Sequence, residues 1–401
     1  MRIALLFLLL CPLVVEAASN FGADKTDPQA AGMNAARLAQ IPIRMREYVD
    51  AGKTAGVVTL VVRHGRIASF EAVGYQDLET KTPMRTDSFF RIMSMTKPVT
   101  CAGVMILVDE GRVALLDPVE KYLPEFKGLK VNPCGARGGS DCAPAAPSRP
   151  VTIQDLMTHA SGLPSMAPRE GLPAAETLAE SVAGVSRVTL LFEPGTGWYY
   201  SQVGYEALGR VIEVVTKQPF EQFMAERVLR PIGMKDSFFF LPSGLENRLA
   251  ATYTYEPDGL KRARSAPRKY PTPQGGLFST ALDMARFHQM MLNKGTLDGR
   301  RVLSAAAVET MTTSYTGELR VGFAPGVGHG FGFEVVREAS GVLRYNSIGS
   351  FLKGGAYRTY GWVDPAKDLA GIIMMQRTNG GGDIADEFNS VMAIAAGAIE
   401  R

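Results

Sequence analysis

Two β-rich runs stand near the start of the chain, Val57-Val58-Thr59-Leu60-Val61-Val62 and residues 67–73. They are joined by His64-Gly65. β-branched residues in short runs around a glycine-containing turn predict a hairpin. The far end carries three more such runs, at residues 343–348, 356–363 and 369–375, with Asp364-Pro365 opening the last turn. Between these ends helical spacing dominates. Helices are predicted at 99–110, 153–159, 205–216, 220–228 and 281–292, with one more at each margin, 34–50 and 384–399. Strands at both ends and helices between them predict one antiparallel sheet built from both chain ends and flanked by helices. With a mostly helical second domain, this is an α/β (α+β) fold. The expected division is 18–88 with 270–401 for the sheet domain and 89–269 for the helical domain, with the active site between them.

The first 17 residues read as a signal peptide. Arg2 gives the positive start, Ile3 to Val15 form a short apolar run, and Val15-Glu16-Ala17 offers small residues before a cut at Ala18. The run is shorter than the roughly 20 residues a membrane span needs. The mature chain is therefore expected to be exported, periplasmic or extracellular, without a stable membrane span. Leu10 ahead of Cys11 argues against a lipid anchor there. Cys134 and Cys142 lie in the Gly/Ser/Pro-rich stretch 132–150, and export favours a disulfide between them. Cys101 falls in an apolar helix and reads as a small buried residue.

A net charge of +3, from 43 basic and 40 acidic residues, gives no sign of a nucleic-acid partner. The basic cluster Lys261, Arg262, Arg264, Arg268 and Lys269 reads as a solvated loop, because Pro267 and Pro271 interrupt any helix there. His64, His159, His288 and His329 are scattered and share no metal-ligand spacing with the cysteines. No metal and no cofactor are expected.

Ser-x-x-Lys occurs at Ser94-Met95-Thr96-Lys97 and at Ser350-Phe351-Leu352-Lys353. Ser94 stands where an N-cap is expected, before an apolar helix whose first turn tolerates Pro98. Residues three apart on a helix share a face, so Lys97 can reach the Ser94 hydroxyl. Ser350 precedes a strand-like run, where residues three apart face opposite ways. The useful pair is Ser94 and Lys97. A serine hydroxyl needs a neighbouring base, and a lysine serves only when burial and nearby cations depress its pKa. The GxSxG elbow of α/β-hydrolases is absent from the chain.

The surrounding segments sharpen this reading. Phe90-Arg91-Ile92-Met93-Ser94-Met95-Thr96-Lys97-Pro98-Val99-Thr100 resembles the nucleophile segment of class C β-lactamases and their relatives. Those relatives are the family VIII carboxylesterases and the penicillin-binding-protein-like serine hydrolases. Four further segments match in the family's order: Leu156 to Pro164, Glu193 to Gln202, Gly275 to Thr280 and Gly354 to Tyr357.

The resemblance implies a β-lactamase/transpeptidase-like fold and an acyl-enzyme on Ser94. It implies Lys97 and Tyr200 as partners in proton transfer, with Tyr199 the competing tyrosine. It also implies an oxyanion hole from the backbone amides of Ser94 and Ala356, and substrate contacts from Gln202, Lys353, Gly354 and Gly355. Trp198 and Tyr199 are expected to pack, and His159 to act structurally. Two departures stand out. The family's Tyr-x-Asn is Tyr200-Ser201-Gln202 here, and its Lys-Thr-Gly is Lys353-Gly354-Gly355. These favour a carboxylesterase for small to medium acyl esters. Lys353 keeps a cation and with it the amide alternative, a β-lactamase or D-amino-acid peptidase. A module that is acylated without turnover is the third reading. The expected partner is a small-molecule ester or amide.

Overall fold

The computed structural model describes residues 21, 26–132, 143–168, 170, 174–264, 268–319, 321, 324–379 and 386–400. Cys134, Cys142 and the expected signal segment, residues 1–17, lie outside the described residues.

The central sheet has eight strands. They are β1 (Gly56–Arg63), β2 (Arg66–Asp77), β3 (Thr82–Pro83), β4 (Val327–His329), β5 (Glu334–Val336), β6 (Phe351–Gly355), β7 (Thr359–Asp364) and β8 (Leu369–Met374). Their order across the sheet is β4-β5-β6-β7-β8-β1-β2-β3, antiparallel throughout. The first and last strands thus meet at the centre, with Val58 opposite Met374 and Arg63 opposite Leu369. His64 and Gly65 both take positive φ at the β1–β2 turn, the conformation a tight hairpin requires.

Both faces of the sheet are covered, and side-chain alternation divides the core. Val58, Leu60, Val62, Ile372 and Met374 belong to the larger apolar cluster, shared with the helical part and with the helix Ala281–Leu292. Val57, Val61, Trp362 and Ile373 belong to the other, beneath the helices Gln40–Asp50 and Asp386–Gly397. Successive strand residues face opposite ways, so β-branched runs without polar interruption suit a strand buried on both sides. The helix Thr96–Asp109 is buried over almost its whole circumference and forms the axis of the helical part. No helix among the described residues is long and apolar enough to cross a membrane.

Most predicted helices appear within a few residues of their expected limits. The run 220–228 divides into Phe220–Met224 and a π-turn, Ala225–Leu229. Two strand expectations need correction. Residues 343–348 are not a strand: a 3₁₀ turn, Gly341–Leu343, leads into further turns that close at Gly349, whose φ is +87°. Leu343 there is buried but Tyr345 and Ile348 are 54% and 71% exposed, so the run does not form one core-facing strand. The strand is Phe351–Gly355. The expected strand at 356–363 begins only at Thr359, because Arg358 takes φ 64° and its N–H bonds to the Gly355 carbonyl. Ala356 consequently sits in a tight turn.

Trp362 of β7 lies opposite Gly371 of β8, and a Cβ on Gly371 would come 2.0 Å from the indole. The indole therefore fills the space over the glycine. Gly371→Val is expected to destabilise the fold by about 1–3 kcal/mol through overpacking, read as a lower midpoint in urea unfolding.

Candidate active site

Ser94 does not cap a helix. It is the middle residue of a 3₁₀ turn, Met93–Met95, and Met95 occupies the N-cap position of the helix Thr96–Asp109. Met93 takes φ 48°, a region costly for a residue with a side chain, and the surrounding contacts hold it there. Ile92 N–H bonds to the Leu277 carbonyl, and Met95 N–H to the Ile92 carbonyl. The hydroxyl is thereby presented to other side chains instead of to the helix amides. Tyr200 OH donates to Ser94 Oγ at 2.9 Å and Lys97 Nζ at 3.2 Å. The expected trio of Ser94, Lys97 and Tyr200 converges on one oxygen.

The helix delivers Lys97 and also fixes its second contact. Thr96 Oγ1 accepts from Leu277 N–H, and Thr100 Oγ1 donates to the Pro273 carbonyl at 2.7 Å. These two bonds, one helical turn apart, bind segment 273–277 alongside the helix. The Gln274 carbonyl then accepts from Lys97 Nζ at 2.8 Å. The ammonium also lies 4.7 Å from the Tyr200 ring and 5.3 Å from the Tyr205 ring. Lys97 is 1% exposed, and burial pulls its pKa below the ordinary lysine value, aided by the nearby Lys353 cation. For Tyr200, burial acts upward, but the charges of Lys97 and Lys353 together with its hydrogen bonds to Lys97 and Ser94 outweigh it and leave the phenol easier to ionise.

In the resting geometry Ser94 Oγ accepts two hydrogen bonds. Loss of one proton from the Lys97–Tyr200 pair converts one donor into an acceptor for the serine proton, the arrangement nucleophilic attack requires.

The loop bearing Tyr200 is held by His159. This residue closes the helix Ile153–Thr158 with φ 62°. Its carbonyl accepts from Tyr199 N–H and its Nδ1 accepts from Ser201 N–H at 3.1 Å. Its ring lies 4.5 Å from that of Tyr200 and 4.9 Å from that of His329. Burial keeps both imidazoles neutral, driving His159 well below its ordinary value and His329 down to about 3. The structural role expected of His159 is what its contacts display. Trp198 packs against His159, His329 and Tyr200, as expected. Tyr199 does not pack; it is 44% exposed.

The family-implied substrate residues occupy different settings. Gln202 lines a pocket of about 230 Å³ beside Ser94. Lys353 is 2% exposed, donates to Glu334 Oε1 at 3.2 Å and lies 5.1 Å from the Tyr200 ring. Its charge therefore bears on Tyr200 from within the protein. Gly355 passes so close to Ser94's approach segment that a Cβ would stand 2.2 Å from the Ile92 carbonyl. Thr359 Oγ1 donates to that same carbonyl at 2.8 Å. The turn that carries Ala356 is thus anchored two residues ahead of Ser94.

Glu334, Tyr205 and the Gln274 carbonyl escape a sequence reading. Glu334 sits on a three-residue strand without a motif, although Gln274 directly precedes the matched Gly275-Gly276 pair. Buried Cys101 has its thiol pushed up to about 12 by burial, which leaves it unreactive. No metal-binding cluster occurs among the described residues.

The Beta-lactamase family model matches residues 44–395. Penicillin-binding protein 4 of Amycolatopsis lactamdurans is 31% identical over 75% of this chain and 75% of its own. Esterase EstB of Burkholderia gladioli is 29% identical over 87% of this chain and 93% of its own. Among solved structures, EstCE1, a hydrolase with promiscuous acyltransferase activity, superposes with a TM-score of 0.76 at 24% identity, covering 90% of this chain and 99% of its own. That likeness concerns the fold. A family model spanning most of the chain, with the serine, lysine and tyrosine already assembled around one oxygen, leads to one assignment: the chain belongs to the beta-lactamase family of serine hydrolases.

Proposed function

We propose that this serine hydrolase is an exported carboxylesterase that cleaves small to medium acyl esters through a Ser94 acyl-enzyme. One observation carries the ester reading. A Cβ on Gly354 would lie 3.3 Å from the buried Tyr360 ring, and Tyr360 is itself stacked on Phe388. The hydroxyl that the family pattern places here to bind a β-lactam carboxylate is missing, and a threonine would require the Tyr360 ring to give by a few tenths of an ångström. The Lys353 ammonium next to it is buried on Glu334. Similarity to esterase EstB supports the same choice. The similarity to penicillin-binding protein 4 favours the amide alternative, so amide substrates are the proper competitors in any assay.

The reaction follows from the site. Lys97 and Tyr200 share the proton taken from Ser94 as its oxygen attacks the ester carbonyl. The backbone amides of Ser94 and Ala356 are assigned to the developing oxyanion, where one donor is worth about 3–4 kcal/mol. The alcohol leaves, and water repeats the sequence on the acyl-enzyme. Export rests on the N-terminal segment, with Arg2, the apolar run and Ala17 in signal-peptide order.

Purified protein is expected to hydrolyse p-nitrophenyl butyrate, with nitrocefin turnover far slower. Ser94→Ala should lower ester turnover by at least about 10³-fold. Nitrocefin turnover comparable with the ester would overturn the reading. The pH profile gives a second check. Activity should fall with acidification as the Lys97–Tyr200 pair regains its proton. Lys353 lowers the pKa of both partners. Lys353→Gln is therefore expected to move the acid limb of kcat/KM to higher pH, whereas an unmoved limb would refute that coupling. N-terminal sequencing of the exported protein should begin at Ala18.

A further inference from the structure

The pocket beside Ser94 is more polar than a simple alkyl acyl chain calls for. Ser165, Gln202, Glu206, Thr272 and Gln274 line it together with Arg268. The Glu206 carboxylate accepts from Gln274 Nε2 at 2.8 Å and from the Tyr270 hydroxyl at 3.4 Å. Arg268 belongs to the basic stretch that reads as a solvated loop and is exposed, and its guanidinium bonds to the neutral Thr272 hydroxyl at the pocket wall. Three of the other four cations of that stretch are matched with acids, Lys261 with Asp258, Arg262 with Asp77 and Glu79, and Lys269 with Glu176, while Arg264 forms no ion pair among the described residues.

A second guanidinium lies within electrostatic reach of the first. Arg91, three residues before Ser94, stacks over the Phe278 ring at 5.3 Å and senses the charge of Arg268 and the phenol of Tyr357. Arg268 in turn is within electrostatic reach of Tyr357, Tyr270 and Glu206. Among the described residues neither guanidinium forms a salt bridge, and Glu206 bears electrostatically on Arg268. Tyr357 follows Ala356 directly, so this positive corner adjoins the turn assigned to the oxyanion.

We propose that the site takes esters bearing a carboxylate, which Arg268 binds at the pocket wall with Arg91 adding to the positive field. The proposal rests on the ester reading and narrows its substrate class. Arginine suits the task because its planar fork meets a carboxylate with two parallel hydrogen bonds. Lys353 does not fill this role, since its ammonium is engaged with Glu334.

The test compares p-nitrophenyl butyrate with two charged relatives, the p-nitrophenyl monoester of glutaric acid and 4-carboxyphenyl butyrate. The first carries its carboxylate on the acyl side, the second on the leaving group. At least one should exceed the neutral ester in kcat/KM by about tenfold, the factor for one charge-assisted contact. Arg268→Gln should reduce that charged-to-neutral ratio by about tenfold, mostly through KM, and Arg268→Lys should restore part of it. Glu206→Gln should raise the ratio, and added salt should lower it. Neutral turnover without any preference for either charged ester overturns the proposal and leaves the ester reading intact. A ratio unchanged in Arg268→Gln also overturns it. Failure of all three esters overturns the ester reading itself.

Discussion

Burial of the Lys97 ammonium is the constraint from which the site is organised. A charged amine inside a protein needs partners, and the chain supplies a carbonyl, a serine oxygen and two aromatic faces. None of these is a carboxylate. A carboxylate at that point would lock the lysine in its charged form. Neutral acceptors and a second cation keep the proton exchangeable. The carboxylate in the vicinity, Glu334, is spent on Lys353 instead. This division leaves Lys97 among neutral partners while Lys353 is paired with a carboxylate.

The sheet makes that arrangement geometrically possible. Joining the first and last strands at its centre brings the end of β6 to Ile92, and with it the Ala356 turn to the nucleophile segment. Close approach is bought with glycine. At Gly332 a Cβ would come 2.7 Å from Pro98 at the start of the lysine-bearing helix, and its φ of +79° suits glycine alone. The helical part supplies Tyr200 from the opposite side, on a loop clamped by His159. Ser94, Tyr200 and the Ala356 turn therefore come from separate stretches of chain that meet only in the folded protein.

Much of this was legible in the sequence. β-branched runs at both ends foretold a sheet closed by the two termini, because side-chain shape and burial are local signals. The spacing from Ser94 to Lys97 was legible too, and the strand context of Ser350 excluded the rival pair. The capping role inferred for Ser94 failed because Met93 is held left-handed by tertiary contacts that no local pattern encodes. The strand predicted at 343–348 failed because Gly349 turns the chain, so Tyr345 and Ile348 before it reach solvent. The Lys353–Glu334 pair was invisible, since it depends on the register between two short strands. Arg268 looked like one of several loop cations, and only the folded chain places it at the pocket wall.

The central claim is that Ser94 becomes acylated with Lys97 and Tyr200 handling its proton. Mass spectrometry of protein quenched within one turnover of p-nitrophenyl butyrate tests it most directly. The account predicts a butyryl group on the peptide that contains Ser94, with markedly slower labelling in Tyr200→Phe. Butyryl found on another residue, or labelling at the same rate in Tyr200→Phe, would contradict it.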